Sequence, residues 1–222
     1  MKKTFRFIGI TVITAVIVFL STACPQDNDP APPPASGSAT ITVTNQQLHD
    51  ENYTESSKSG KVNAEYWEAL TALGPIVLGT AEIGTVTNGK LSFKLDVAPP
   101  EEILRLLEDY FPDGITIPNE NARAIDVYLE FNDGSEEYVL SNYYYDENND
   151  YEIWVEYLYL DRDVNVKDSY IDDDWTFDVD CNFKKGFNAV YYVDVGDSSK
   201  MTTARPTGAN LLKWVYFLPW WN

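Results

Sequence analysis

Histidine, cysteine and positive charge are scarce in this chain of 222 residues. It has one histidine, His49, two cysteines, Cys24 and Cys181, and 16 lysines and arginines against 35 acidic residues. A histidine-based catalytic triad would have to use His49, which we place in a solvated loop and which no Gly-x-Ser-x-Gly elbow accompanies. One histidine and one core cysteine cannot supply three or four zinc ligands. Glycine-rich phosphate loops are absent as well, so we expect no cofactor.

No apolar run is long enough for a permanent transmembrane helix. The apolar stretch at residues 8–20 is 13 residues long, whereas a helix that crosses a bilayer needs about 20 apolar residues. Three cations and no acid precede this stretch, at Lys2, Lys3 and Arg6. A cationic start followed by a short apolar run is typical of a signal peptide. We therefore assign residues 1–23 as a signal peptide.

Small residues lead to a cysteine where this segment ends. Residues 21–24 read Ser-Thr-Ala-Cys, which resembles the lipobox that lipoprotein signal peptidase cuts before a diacylglyceryl-modified cysteine. The alternative is an ordinary secretory signal cut after Ala23, since Ser21 and Ala23 also satisfy the small-x-small rule. We predict that Cys24 is lipidated and anchors the protein in the cell envelope, at the inner or the outer membrane.

The segment after Cys24 has the composition of a tether. Residues 25–38 contain five prolines and no large apolar residue, so they cannot form a core and are expected to be extended and solvated. We predict a lipidated tether at residues 24–38 and one folded domain at residues 39–222.

The charge of the exported chain limits its partners. Removal of residues 1–23 takes away three cations and no acid, so the formal net charge moves from −19 to −22. A field of this sign repels nucleic acid and anionic headgroups. The chain is 44% hydrophobic and 14% aromatic, enough to form a core. The expected partners are the membrane, through the lipid anchor, and a protein or glycan ligand, but no nucleic acid.

Alternation of apolar and polar residues dominates from residue 39 onward and is typical of half-buried strands. The clearest hairpin has Asn88 and Gly89 between two alternating runs, because both residues accept the positive φ angles of a type I′ turn. One helix is predicted over residues 98–111, where prolines and glutamates suit the first turn. The pattern predicts an all-β fold, a two-sheet antiparallel β-sandwich of immunoglobulin-like or jelly-roll type, with nine or ten strands and one short helix.

Cys181 has the setting of a core residue. It lies in residues 175–183, where every odd-numbered residue is apolar, so it belongs to the buried face of a strand. A lipidated Cys24 leaves it without an intramolecular partner. We predict that Cys181 is a small, free core residue rather than a reactive thiol.

Three short stretches resemble an uncharacterised group of spirochaete-type surface lipoproteins. They are residues 87–93 followed by a proline pair, residues 185–188, and residues 207–215. The resemblance implies a surface or periplasmic lipoprotein with a β-sandwich body. It carries over no catalytic residue.

Aromatic residues are abundant, with six tryptophans and 15 tyrosines. Neighbours on a strand point to opposite faces, so Tyr144 must face away from the tyrosines on either side of it. Exposed aromatics on a sheet stack on sugar rings or anchor a protein partner. We name Tyr144, Trp154, Trp220 and Trp221 as candidate ligand-facing residues. The alternative is that they line a core and a half-buried face.

One acidic segment, residues 161–174, imitates a metal loop. Asp161, Asp163 and Asn165 match the start of an EF-hand loop, but Val166 stands where the sharp turn needs glycine. We interpret the segment as a solvated acidic loop and assign no metal ligand.

The function that these features favour is binding. We expect a membrane-anchored lipoprotein that serves as a non-enzymatic binding or adhesion module of the cell envelope, using its aromatic sheet face and loops. The alternative is a carboxylate-dependent glycan hydrolase, which would use two of the 35 acids. The sequence singles out no catalytic residue.

Lipidation of Cys24 can be tested by fractionation. Cys24→Ala removes the thiol that is acylated, so the variant should move from the detergent phase to the aqueous phase and change its gel mobility. Cys181→Ala, which removes the other cysteine, serves as the control and should fractionate like the wild type. Unchanged partitioning of Cys24→Ala would show that the anchor assignment is wrong.

Overall fold

The chain folds into a mixed β-sheet of 13 strands. A computed structural model describes residues 39–71, 74–172 and 175–219. The strands are β1 (Ile41–His49), β2 (Gly60–Thr71), β3 (Gly74–Thr87), β4 (Lys90–Leu95), β5 (Arg105–Leu106), β6 (Arg123–Asn132), β7 (Glu137–Asp146), β8 (Tyr151–Leu160), β9 (Val164–Asp172), β10 (Trp175–Phe183), β11 (Gly186–Val195), β12 (Ser198–Thr202) and β13 (Lys213–Phe217). The all-β prediction is confirmed.

The two-sheet arrangement is not confirmed, because all 13 strands belong to one continuous sheet. Its order is β5-β6-β2-β3-β4-β1-β13-β7-β8-β11-β12-β10-β9. Strand β6 also pairs with β7 and β8, so the part of the sheet from β6 to β7 closes on itself. Period-two alternation predicts strands, but it does not specify which strands are neighbours.

The sheet is mixed rather than antiparallel throughout. Strand β1 runs parallel to β13 where Leu48 and His49 lie beside Trp214 and Val215. Strand β10 runs parallel to β12 over five residue pairs. The other pairings between named strands in the described part are antiparallel. His49, predicted in a solvated loop, instead ends β1 and is half-buried, with its Nδ1 atom 3.1 Å from the Trp214 carbonyl oxygen.

The predicted helix over residues 98–111 is wrong. This segment forms two short 3₁₀ turns, Glu101–Ile103 and Leu107–Tyr110, separated by β5. Strand β5 pairs with the start of β6, and the backbone N–H of Leu107 donates to the Ala122 carbonyl oxygen at 2.8 Å. Pairing with another part of the chain therefore takes the place of the helical bonds that the local pattern favours.

The Asn-Gly hairpin turn between β3 and β4 is confirmed. Asn88 and Gly89 have φ angles of 49° and 71°, and Thr87 pairs with Lys90 across the turn. A Cβ atom on Gly89 would lie 1.8 Å from the Ser56 carbonyl oxygen. Glycine is therefore required there both by its φ angle and by the close approach of the backbone.

The apolar residues form two main cores on opposite faces of the sheet. The first core fills the inner face of β1 to β4 and of β6 to β8, with contributions from β11 and β13. In the second core, β9, β10 and β12 pack over the outer face of β6, β8 and β11. Strands β9 and β12 were not predicted. In β9 only the first half, at Val164 and Val166, alternates in the ordinary way, with both side chains buried.

Cys181 is fully buried in the second core, as predicted. Phe177, Val179 and Phe183 share its face of β10 and are also buried. Its thiol is free, and burial raises its pKa to about 12. The sulfur therefore stays protonated near neutral pH and serves as a small core atom.

Substitution of Cys181 should separate packing from charge. Cys181→Ala deletes one atom of core packing and should lower the free energy of unfolding by about 1–2 kcal/mol. Cys181→Asp places an uncompensated charge in the core and should cost about 3–5 kcal/mol. Urea denaturation at neutral pH measures both values. Equal losses in the two variants, or rapid thiol labelling of the native protein, would contradict this assignment.

Candidate functional site

Charged and aromatic side chains lie together on the outer face of the sheet, which is the face that carries the second core. They lie next to the part of this face that β9 and β10 cover. Alternation places odd-numbered residues of β2 and even-numbered residues of β6, β8 and β11 on this face. We call the resulting set the acidic aromatic strip. Its members are Glu65, Trp67, Asp126, Tyr128, Glu130, Glu152, Trp154, Glu156, Tyr192 and Asp194, brought together by the pairings of β2 with β6, β6 with β8 and β8 with β11.

The strip contains two aromatic stacks of the same design. Trp67 of β2 stacks on Tyr128 of β6, with ring centroids 3.8 Å apart and planes at 20°. The Trp67 Nε1 atom donates to Glu65 Oε2 at 3.0 Å. Each ring thus covers one face of its partner, and a carboxylate two residues along the strand holds the indole in place.

The second stack lies on β8 and β11. Trp154 stacks on Tyr192 with centroids 5.1 Å apart and planes at 6°, and its Nε1 atom donates to Glu156 Oε1 at 3.2 Å. Burial, followed by the charge of Glu156, raises the pKa of Tyr192 well above its ordinary value. The Tyr192 phenol therefore stays neutral and can donate a hydrogen bond toward that carboxylate.

Asp126 lies between the two stacks. It is opposite Trp67 on β2 and opposite Leu158 on β8, and it is half-buried. Burial raises the pKa of Asp126 to about 7, and no described cation lies close enough to lower it. A carboxyl group with this pKa is partly protonated near neutral pH, whereas an exposed aspartate is fully ionised there.

Two further pairs of acids flank the centre of the strip. Burial and the neighbouring Glu65 raise the pKa of Glu130, against a hydrogen bond of 3.1 Å from Asn63. At the other end, burial and the charge of Asp194 raise the pKa of Glu152. Burial likewise raises the pKa of Asp194 itself. Within each pair, the charge of one carboxylate thus opposes ionisation of its neighbour.

The structure separates the aromatic residues that the sequence suggested. Trp154 belongs to the strip, but only 8% of it is exposed and its ring face is taken by Tyr192. Tyr144 lies on the opposite face, where it packs with Ile153 and Tyr151. Trp220 and Trp221 lie outside the described residues, as does Cys24.

The EF-hand-like run does not form a metal loop. Asp161 accepts hydrogen bonds from Arg162 and from the Arg123 backbone. Asp163 accepts hydrogen bonds from Lys184 and from the Lys185 backbone. Strand β9 then begins at Val164, so the run that was interpreted as a loop enters the sheet. Within the described part of the chain, no group of three metal-ligating side chains converges.

No protein-family model, curated protein or solved structure matches the chain. Among the described residues, no helix has the length and apolar character needed to cross a membrane.

The raised pKa of Asp126 makes stability depend on pH. In the unfolded chain the pKa of aspartate is about 3.9, so between about pH 4 and pH 7 the folded chain holds the extra proton. The free energy of unfolding should then fall as pH rises through this window, by up to about 1.4 kcal/mol per pH unit for this group.

Asp126→Asn should flatten this pH dependence. The amide does not titrate, so the variant should be more stable than the wild type above pH 7. Between pH 4 and pH 7 its free energy of unfolding should fall less steeply with pH, by up to about 1.4 kcal/mol per pH unit. Urea denaturation at several pH values measures both effects. Asp113→Asn, at an exposed aspartate, is the matched control and should keep the wild-type slope. Identical slopes for Asp126→Asn and the wild type would refute the assignment.

Proposed function

We propose that this protein is a membrane-anchored lipoprotein whose domain is a non-enzymatic binding module of the cell envelope, with the acidic aromatic strip as its ligand face. The ligand is a protein or a glycan that presents several hydrogen-bond donors. The signal peptide, the small residues before Cys24 and the tether support the anchor. The three stretches that resemble spirochaete-type lipoproteins support the envelope location. This resemblance also implies a sandwich-like body, and the second core supports it because two layers of strands face each other there.

One observation carries the choice of the strip: its half-buried carboxyl groups have no cationic partner among the described residues. Asp126, Glu130, Glu152 and Asp194 all have raised pKa values, and no cation contributes to any of these shifts. Burial of polar groups without compensation costs free energy. A ligand that donates hydrogen bonds or brings positive charge to the strip removes part of that cost.

The aromatic stacks contribute to ligand binding indirectly, by positioning the carboxyl groups. Trp67 and Tyr128 are 2% and 4% exposed, so their flat faces are not open platforms for a sugar ring. The indoles of Trp67 and Trp154 donate to Glu65 and Glu156, so each stack holds one carboxylate in place. Acceptors that are held at fixed positions lower the entropy that is lost on binding.

The ligand face can be tested by binding measurements on the detergent-solubilised full-length protein. A glycan array and pull-downs from envelope and extracellular extracts identify the ligand. Glu65→Gln with Glu130→Gln removes two charges but keeps the shape of the strip, and it should weaken binding about tenfold or more, which corresponds to about 1.4 kcal/mol.

The matched control is Glu51→Gln with Glu55→Gln, which makes the same chemical change at two exposed positions. It should bind like the wild type. Background binding in all assays, or equal loss in both double variants, would count against the strip as the ligand face.

A glycan hydrolase is the second candidate, favoured by the pair Asp126 and Glu156. Asp126 pairs with Leu158, and Glu156 lies two residues before it on the same face of β8. Glu156 is thus a diagonal neighbour of Asp126, and the two carboxyl groups lie on one face, as the acid and the base of an inverting glycosidase must do to flank one glycosidic bond. Asp126, with its pKa of about 7, would be the general acid and Glu156 the base.

Activity assays separate the two candidates. A hydrolase should release sugar from envelope glycans and lose this activity in both Asp126→Asn and Glu156→Gln, while each variant still binds the glycan. A binding module releases no sugar.

A further inference from the structure

A second site lies where the start of β6 and the residue before β11 meet the end of β8. A cleft of about 420 Å³ opens there, and its walls carry Arg123, Arg162 and Lys185. The buried residues Leu104 and Tyr159 also line it. Three cations around one cleft are unexpected in a chain with a formal net charge of −19.

The acids of this cleft do not cancel its cations. Glu101 and Asp161 are the two acidic residues in its lining. Arg162 donates to Asp161 through Nε at 3.0 Å and through Nη2 at 2.6 Å, and the backbone N–H of Arg123 donates to the same carboxylate at 3.0 Å. Burial opposes ionisation of Asp161, but these donors hold its pKa below the ordinary value. The charges of Arg162 and Arg123 both favour the ionised form of Asp161. Three cations and two acids line the cleft, so its lining keeps one excess positive charge.

Arg123 and Lys185 differ from most cations of the protein. Seven of the 13 lysines and arginines that follow residue 23 form ion pairs in the described structure. Within that same part of the chain, the side chains of Arg123 and Lys185 form neither an ion pair nor a hydrogen bond. Two cations that remain unpaired in an acidic protein, and that line one cleft, indicate an anionic ligand.

The cleft lies beside the point where the tether joins the domain. The backbone N–H of Ala39 donates to the Lys185 carbonyl oxygen at 2.7 Å, and the backbone N–H of Phe187 donates to the Ala39 carbonyl oxygen at 3.0 Å. The segment that precedes Ala39 therefore starts next to Lys185. If Cys24 is acylated, the anchored segment therefore joins the domain at this end.

We propose that this cleft binds a phosphate group, held by Arg123 and Lys185 with the remaining N–H donors of Arg162. A tetrahedral anion with several acceptor oxygens suits a cleft that is lined by two guanidinium groups and one ammonium group. The phosphate belongs to an anionic lipid headgroup or to a free phosphate compound. The headgroup source rests on the proposed anchor, whereas the free source does not. Long-range repulsion by the acidic surface is screened within about 8 Å at physiological salt.

The test measures how fast an amine-reactive reagent labels Lys185 in the full-length protein, with Lys200 of the same molecule as the internal control. Lys200 also forms no ion pair in the described residues, but it lies on β12. The protein is labelled in non-ionic detergent, in the same detergent with millimolar inorganic phosphate, and in nanodiscs of phosphatidylglycerol. Sodium chloride keeps the ionic strength equal. A ligand at ten times its dissociation constant leaves about a tenth of the sites free, so labelling of Lys185 should slow about tenfold.

Each outcome decides the proposal. Protection of Lys185 by inorganic phosphate supports a free phosphate ligand, and protection in the nanodiscs alone supports a headgroup. Arg123→Gln should abolish either effect; its side chain is exposed, and an unchanged urea midpoint verifies the fold. Protection that persists in Arg123→Gln reflects mere closeness to the bilayer and overturns the proposal. Absent protection, or equal protection of Lys200, also overturns it.

Discussion

One edge of strand β6 pairs with two different strands, β8 at its start and β7 at its end, and much of the architecture depends on this double pairing. The start of β6 pairs with β8 at residues 157–160, and its end pairs with β7 at residues 137–139. Strands β7 and β8 pair with each other only farther on, from Tyr143 and Trp154 to their shared turn. One branch of the junction therefore returns through β13, β1, β4 and β3 to β2, and the other continues through β11 to the strands that form the second core.

This junction explains why carboxyl groups are buried on the outer face. Near the end of β8, Leu158 and Leu160 lie under β9 and β10 in the second core. Asp126 and Glu156 lie just beyond that cover, between it and the stack of Trp67 on Tyr128. Burial of the Asp126 carboxyl group, to whose raised pKa no cation contributes, lowers stability rather than raising it. Residues that contradict the local pattern in this way are expected at functional sites.

The sequence predicts single strands of this fold better than their arrangement. Residues 175–183 alternate without interruption, so β10 and the burial of Cys181 could be predicted, and Asn88-Gly89 fixes a turn through local backbone geometry. Strand β9 was missed because apolar and polar residues do not alternate in its second half, where Ile171 is exposed. There Asp168 accepts a hydrogen bond from the Thr116 backbone, which lies far away in sequence. The helix over residues 98–111 failed for a similar reason, since β5 takes its partner from β6. Contacts between distant segments are invisible to a periodic pattern.

Most of the site also depends on contacts between distant segments, but one of its residues, Glu156, could have been recognised from the alternation pattern. The number of aromatic residues predicted an aromatic face, but the partners Trp154 and Tyr192 come from different strands. Glu156, however, stands in a strand whose neighbouring residues are apolar on both faces, and a charge in such a strand marks a special environment. The same strand shows how the two proposed sites coexist. Tyr159 contacts the inner core and lines the cationic cleft, whereas Glu156 points to the outer face, so a ligand on the strip and a phosphate in the cleft occupy different surfaces of β8.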